Sequence, residues 1–184
     1  MNFEIKNNGE VSQEFLKSGI TNFKEACEFV RNLPYKRNNN KYDLLCIFKD
    51  LGGTCSTKHS TLRKLALENH HEEIKLILGI FKMDKYYAPK IENTLSKNFL
   101  DYIPEAHNYL RIENKYYDFT NLHSNYSDFE NNLLQQHEIE YNQITEYKIQ
   151  LHKNYLKNWI KNHPHFTLET IWNIREKCIL DLQN

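Results

Sequence analysis

The run Ile74-Lys75-Leu76-Ile77-Leu78-Gly79-Ile80-Phe81-Lys82-Met83 constrains the fold more than any other segment of this chain. It is β-branched and partly alternating, which predicts a strand. Two further extended runs, residues 107–112 and 116–120, flank the short polar pair Glu113-Asn114 and read as a hairpin. With a two-residue turn, Ile112 faces Lys115 and Tyr109 faces Asp118. His107, two residues before Tyr109, then shares its face and becomes a diagonal neighbour of Asp118, close enough for the side chains to meet. A three-residue turn would place His107 and Asp118 on opposite faces instead.

The remainder of the chain has helical texture. Phe23, Ala26, Phe29, Val30 and Leu33 recur at helical spacing, with Glu25 placed as in a capping box and Pro34 ending the run. Residues 37–40 read as an exposed loop, and residues 44–51 as a short helix ending at Gly52-Gly53. Thr54 is the expected N-cap of the next helix, whose apolar stripe is Leu62, Leu65 and Ala66 and which ends near Asn69. Beyond Asn125, Ser127-Asp128-Phe129-Glu130 has the capping-box pattern, and Tyr141, Ile144, Leu151, Tyr155 and Trp159 fall near heptad spacing. Pro164 breaks the pattern and Thr167 opens a last helix over residues 168–182. This aromatic stripe reads as core packing in preference to a ligand face. The expectation is one α+β domain spanning residues 1–184, with a core over about residues 20–122 and C-terminal helices over about residues 126–184.

Composition narrows the function classes. At 184 residues the chain can bury a core without disulfides. Lys plus Arg and Asp plus Glu both total 24, and the isoelectric point is about 7.1, so no global field attracts a polyanion or an anionic membrane. Mean hydropathy is −0.76, no apolar run approaches the ~18 residues of a membrane helix, and the first residues have no apolar signal region. A soluble, unsecreted, cytoplasmic protein with neither nucleic acid nor membrane as partner is expected; the sequence leaves its oligomeric state open. Lys153, Lys157 and Lys161 read as a solvated helix face. Cys27, Cys46, Cys55 and Cys178 are scattered and form no C-x-x-C pair, which argues against a disulfide framework or a zinc ribbon. His70-His71 and His163-Pro164-His165 lack companion ligands at recognised spacing, so neither a metal nor another cofactor is expected.

One cysteine stands apart. Cys55 follows Gly52-Gly53-Thr54 and falls in the first turn of a helix, where unpaired amides and the positive end of the helix dipole favour a thiolate and can also hold an oxyanion. The alternative is a buried thiol at a helix start; the other three cysteines read as packing residues. A thiol nucleophile needs a base and the base an orienting partner. His107 with Asp118 meets that need through the hairpin register. His59, one turn past Cys55, is either a second base or a helix-face neighbour of the site, and the latter is favoured.

Gly53-Thr54-Cys55-Ser56-Thr57-Lys58-His59, then Leu62 and Leu65-Ala66-Leu67-Glu68, the Leu78-Gly79 strand, Glu105-Ala106-His107-Asn108-Tyr109-Leu110 and Tyr116-Tyr117-Asp118-Phe119-Thr120 together resemble the transglutaminase-like superfamily of papain-fold thiol enzymes. The resemblance covers about residues 20–121, including Val30-Arg31-Asn32-Leu33-Pro34-Tyr35 before the cysteine helix. It implies a papain-like core in which a helix carrying Cys55 packs on an antiparallel sheet carrying His107 and Asp118. The eleven-residue interval from His107 to Asp118 is short for that pattern. No upstream Trp or Gln marks a side-chain oxyanion donor, which leaves residues 35–42 as the place to look.

The implied chemistry is acyl transfer through a thioester on a peptide or protein, by hydrolysis (protease or deamidase) or by amine transfer. Cys55 is the nucleophile, His107 moves the proton and Asp118 holds the imidazole. The rivals are a non-catalytic interaction domain that keeps the fold and an acyl-CoA-dependent N-acetyltransferase. Specificity is expected in the loops between Met83 and Leu100 and in the C-terminal helices.

Overall fold

The computed structural model describes residues 1–183, apart from the side chain of Gln183, and its architecture is α+β. Three helices, α1 (Glu10–Lys17), α2 (Phe23–Asn32) and α3 (Cys46–Lys49), precede a longer one, α4 (Cys55–Glu68). Strand β1 (Lys75–Asp84) and helix α5 (Glu92–Lys97) follow, then strands β2 (Tyr102–Ile112), β3 (Lys115–Tyr117) and β4 (Leu133–Ile139), and finally helices α6 (Glu146–Trp159) and α7 (Leu168–Gln183). The four strands form one antiparallel sheet in the order β3-β2-β1-β4.

β1 lies inside this sheet, and its alternation divides its side chains between two cores. Leu76, Leu78 and Ile80 pack with Leu62, Leu65 and Ala66 of α4. Ile77, Phe81 and Met83 join a second cluster with Leu156 and Trp159 of α6 and Ile171, Cys178 and Ile179 of α7. Helices therefore cover both faces of the sheet. Full burial of each such aliphatic side chain contributes roughly 1.5–3 kcal/mol.

The hairpin has the register expected for a two-residue turn, with Ile112 opposite Lys115 and Leu110 opposite Tyr117, but β3 ends at Tyr117, so Asp118 follows the strand and Tyr109 does not pair with it in the ladder. Glu113 and Asn114 have φ of 49° and 62°, the left-handed pair that a primed hairpin turn requires. Gly79 lies opposite His107, and a Cβ there would stand 2.9 Å from the Tyr109 ring, so close packing of that ring requires a residue without a side chain.

The C-terminal region differs from the expectation of helix from about residue 126. Residues 126–128 and 130–132 are single 3-10 turns, residues 133–139 are β4, and the helices begin at Glu146. Leu133-Leu134-Gln135-Gln136-His137-Glu138 has good helix formers, but the outer edge of β1 presents N–H and C=O groups that need partners, and pairing from Leu76–Ile139 to Phe81–Leu133 supplies them. Helices α1 and α5 were also not foreseen; α5 lies inside the segment 83–100 read as loops. No described helix is long and apolar enough to cross a membrane. All four cysteines are buried and free.

Candidate functional site

The approach to Cys55 is tightly shaped. The Gly53 N–H donates to the Pro34 carbonyl at 3.1 Å, and the Lys36 N–H donates to the Gly53 carbonyl at 3.2 Å, which lays Tyr35 alongside the start of α4. A Cβ on Gly53 would lie 2.7 Å from Thr57 Oγ1 and 2.9 Å from Ile47 Cγ2, so this position demands glycine. The Thr54 N–H donates to Thr57 Oγ1 at 3.0 Å, and Cys55 becomes the first residue of α4. Its thiol therefore stands at the positive end of the helix dipole.

The structure brings Cys55, His107 and Asp118 together. The thiol and the imidazole are near enough for each to shift the other's proton affinity, and both line the larger of the two cavities at the site. His107 Nε2 lies 2.8 Å from Asp118 Oδ2, leaving Nδ1 for the sulfur. The other carboxylate oxygen of Asp118 accepts the Thr120 N–H at 2.9 Å and the Thr120 hydroxyl at 2.5 Å. All three groups are buried, which magnifies each interaction.

Their proton affinities follow from these contacts. Burial alone would raise Cys55, but the Lys148 ammonium and the His107 imidazolium outweigh it and hold the thiol down at about 6. Burial would lower His107, but Asp118 and the Cys55 thiolate outweigh it and raise the imidazole to about 10. Asp118 is held far below the usual carboxylate range, because His107 and Thr120 overcome the cost of burying its charge. Both directions favour a thiolate–imidazolium pair over the neutral thiol and imidazole.

His59 is not a second base. Its Nδ1 lies 2.7 Å from the Cys55 carbonyl, and its Nε2 accepts the Phe119 N–H at 2.8 Å, so both nitrogens are spent on the backbone. Burial lowers it to about 4 against the opposing pull of Asp118, and it is neutral at physiological pH. It braces the start of α4 against the residue after Asp118.

Sequence reasoning missed Lys148. This side chain of α6 is buried, with Nζ 3.9 Å from Cys55 Sγ, 2.7 Å from Ser56 Oγ and 2.8 Å from Asn108 Oδ1. Burial lowers its proton affinity, an effect the Cys55 thiolate opposes. The available signal was its place on the buried stripe of α6 with His152, Leu156 and Trp159.

Two cavities meet at Cys55. The larger, about 620 Å³, is bounded by His107, by Met83 of β1 and by Tyr86 and Tyr87 from the segment after it. The smaller, about 310 Å³, is bounded by Ser56, Lys148 and Trp172. Tyr35, Cys55, Glu105 and Ile179 line both. Glu105 is buried in a two-pronged ion pair with Arg175 of α7, at 2.7 Å from Nε and 2.5 Å from a terminal nitrogen. Glu176 of the same helix pairs with Arg37 at 2.6 Å. Helix α7 is thus fastened across the site.

His152 lines the smaller cavity, its Nε2 2.8 Å from the Pro104 carbonyl, whereas His71 pairs with Glu73 and His163 stacks on Trp159. Among the described residues no group of three or more His, Cys, Asp or Glu side chains is arranged to hold a metal ion. Comparisons with protein-family models, with curated proteins and with solved structures returned no match.

Proposed function

We propose that this protein is a thiol acyltransferase or hydrolase of transglutaminase-like type, with a papain-like core, acting on an amide bond of a peptide or protein through a thioester on Cys55. The observation that carries the reading is the buried His107–Asp118 pair, 2.8 Å apart, beside Cys55 at the start of α4, in surroundings that favour the thiolate. The Cys55 thiolate attacks the carbonyl carbon, and the carbonyl π pair moves to oxygen. When that pair returns, the bond to the leaving amine breaks and His107 delivers the proton to nitrogen. In hydrolysis, water then attacks the thioester, its proton passes to His107, and the C–S bond breaks to release acid and thiolate. An amine in place of water gives transfer instead; hydrolysis is favoured because water is always at hand. Asp118 holds the imidazole in place and stabilises its charge.

A polymeric substrate fits the position of Cys55 between two cavities, which leaves room for chain on either side of the reacting carbonyl. The test uses an N-acetyl-aminoacyl p-nitrophenyl ester as acyl donor. The wild type should release a stoichiometric burst of nitrophenolate and carry the acyl mass on Cys55, whereas Cys55→Ser and His107→Ala should do neither. A wild type that releases no burst, or that acylates a different residue, overturns the proposal and leaves the non-catalytic domain as the better reading. Acylation by acetyl-CoA in preference to the aminoacyl ester would favour the N-acetyltransferase.

A further inference from the structure

The Lys148 ammonium has three protons, and two are committed. One goes to Ser56 Oγ at 2.7 Å and one to Asn108 Oδ1 at 2.8 Å. Asn108 is itself locked, because its Nδ2 donates to the Ile77 carbonyl at 3.1 Å and so keeps Oδ1 turned toward Lys148. Ser56 donates its own hydroxyl proton to the same Oδ1 at 3.1 Å. The ammonium is therefore fixed in orientation, and its third N–H is left to the Cys55 side, where Sγ lies 3.9 Å away. Lys148 borders the smaller cavity and His107 the larger, with the sulfur between them.

This arrangement suits the charge that develops during acyl transfer. The leaving group must face His107 to receive its proton, which turns the carbonyl oxygen toward the opposite wall. Preorganised donors at the oxyanion's position are worth most in a buried site, where no reorganisation is needed during reaction. The Cys55 N–H, in the first turn of α4, has no acceptor within its own helix.

Resting on the acyl-transfer reading, we propose that Lys148 supplies the charged side-chain donor of the oxyanion site, acting beside the Cys55 backbone N–H. As the sulfur–carbon bond forms and the π pair moves to oxygen, the third ammonium proton is hydrogen-bonded to that oxygen. The lysine keeps all its protons, and the pair returns to carbon as the leaving group departs. This donor comes from a C-terminal helix and not from residues 35–42, where the sequence directed the search.

The test compares two reactions of Cys55 at a pH above each variant's own thiol midpoint, so that the sulfur is equally ionised. Acylation by p-nitrophenyl acetate passes through an oxyanion. Alkylation by iodoacetamide displaces iodide at a saturated carbon and does not. Lys148→Met should slow acylation by about 10²–10³-fold, the loss typical of one oxyanion donor, with alkylation nearly unchanged. Lys148→Gln, which keeps polar partners for Ser56 and Asn108, should show the same selective loss and serves if the methionine variant does not fold. A parallel fall in both reactions would reduce Lys148 to a partner of the thiolate and overturn the proposal. So would a selective loss in Tyr35→Phe with none in Lys148→Met or Lys148→Gln. A wild type that acylates while the Lys148 variants show no selectivity leaves the acyl-transfer reading standing, whereas a wild type that fails to acylate removes both.

Discussion

His59 is joined to Cys55 through the backbone and not through the thiol, its Nδ1 lying 2.7 Å from the Cys55 carbonyl oxygen. Because Nε2 accepts the Phe119 N–H, the ring is held as the Nδ1–H tautomer, and protonation would set a second N–H against an amide donor.

This predicts an acid-sensitive strut. The folded-state value of about 4 lies below the ordinary 6.5, so the unfolded chain binds the extra proton first, and stability is lost as pH falls between those values. Fully developed, the loss attributable to His59 is roughly 3 kcal/mol. Urea unfolding of wild type and His59→Gln from pH 7 to pH 4 checks it: the variant starts less stable and has the shallower slope. Parallel slopes would show that His59 does not carry the effect.

Alkylation of Cys55 by iodoacetamide should have its midpoint near pH 6, well below an ordinary thiol at about 8.5. Removing either cation that holds the thiolate should raise it, so His107→Ala and Lys148→Met each shift the midpoint upward. A midpoint at the free-thiol value that neither substitution moves would contradict the charge balance.

Asp118→Asn keeps an oxygen for the Thr120 N–H and hydroxyl but replaces the charge facing His107. Turnover should drop by about 10²–10⁴-fold, since the imidazolium loses both its tautomer control and its counter-charge. Proton NMR of His107 should show it titrating well below the about 10 of the wild type. An unchanged titration with lost turnover would assign Asp118 a different role.

Glu105 and Arg175 form a buried two-pronged pair, with side chains 7% and 14% exposed. Arg175→Leu strands the buried Glu105 carboxylate and should cost about 3–5 kcal/mol in urea unfolding, whereas Glu105→Leu should cost less, because Arg175 keeps its ion pair with Glu176 at 2.6 Å. The double leucine variant should regain much of that loss. A double variant whose loss equals the sum of the two singles would show that the pair is not coupled.

The parts of the fold visible in the sequence were those set by local chemistry. Glu113-Asn114 between extended runs offered a two-residue or a three-residue turn, and only the two-residue turn, which the structure has, brings His107 near Asp118; Gly52-Gly53-Thr54 announced the start of α4. The missed parts depend on distant partners. Leu133–Ile139 is a strand because β1 has an open edge, and only Ile139 in it is fully buried, so no alternation marks it. Lys148 resembles the half-buried Lys153 and the exposed Lys157 in type. Its place on the buried stripe of α6 marks it as buried, but its role comes from Cys55, 93 residues earlier in the chain.

That separation orders events during synthesis. Cys55, His107 and Asp118 are all translated before Lys148, and α6 can seat its ammonium only after the sheet has given it a place to dock. Until then the nascent chain lacks one of the two cations that hold the sulfur ionised. The full ionisation of the sulfur therefore waits on the docking of α6, an element translated after the rest of the relay.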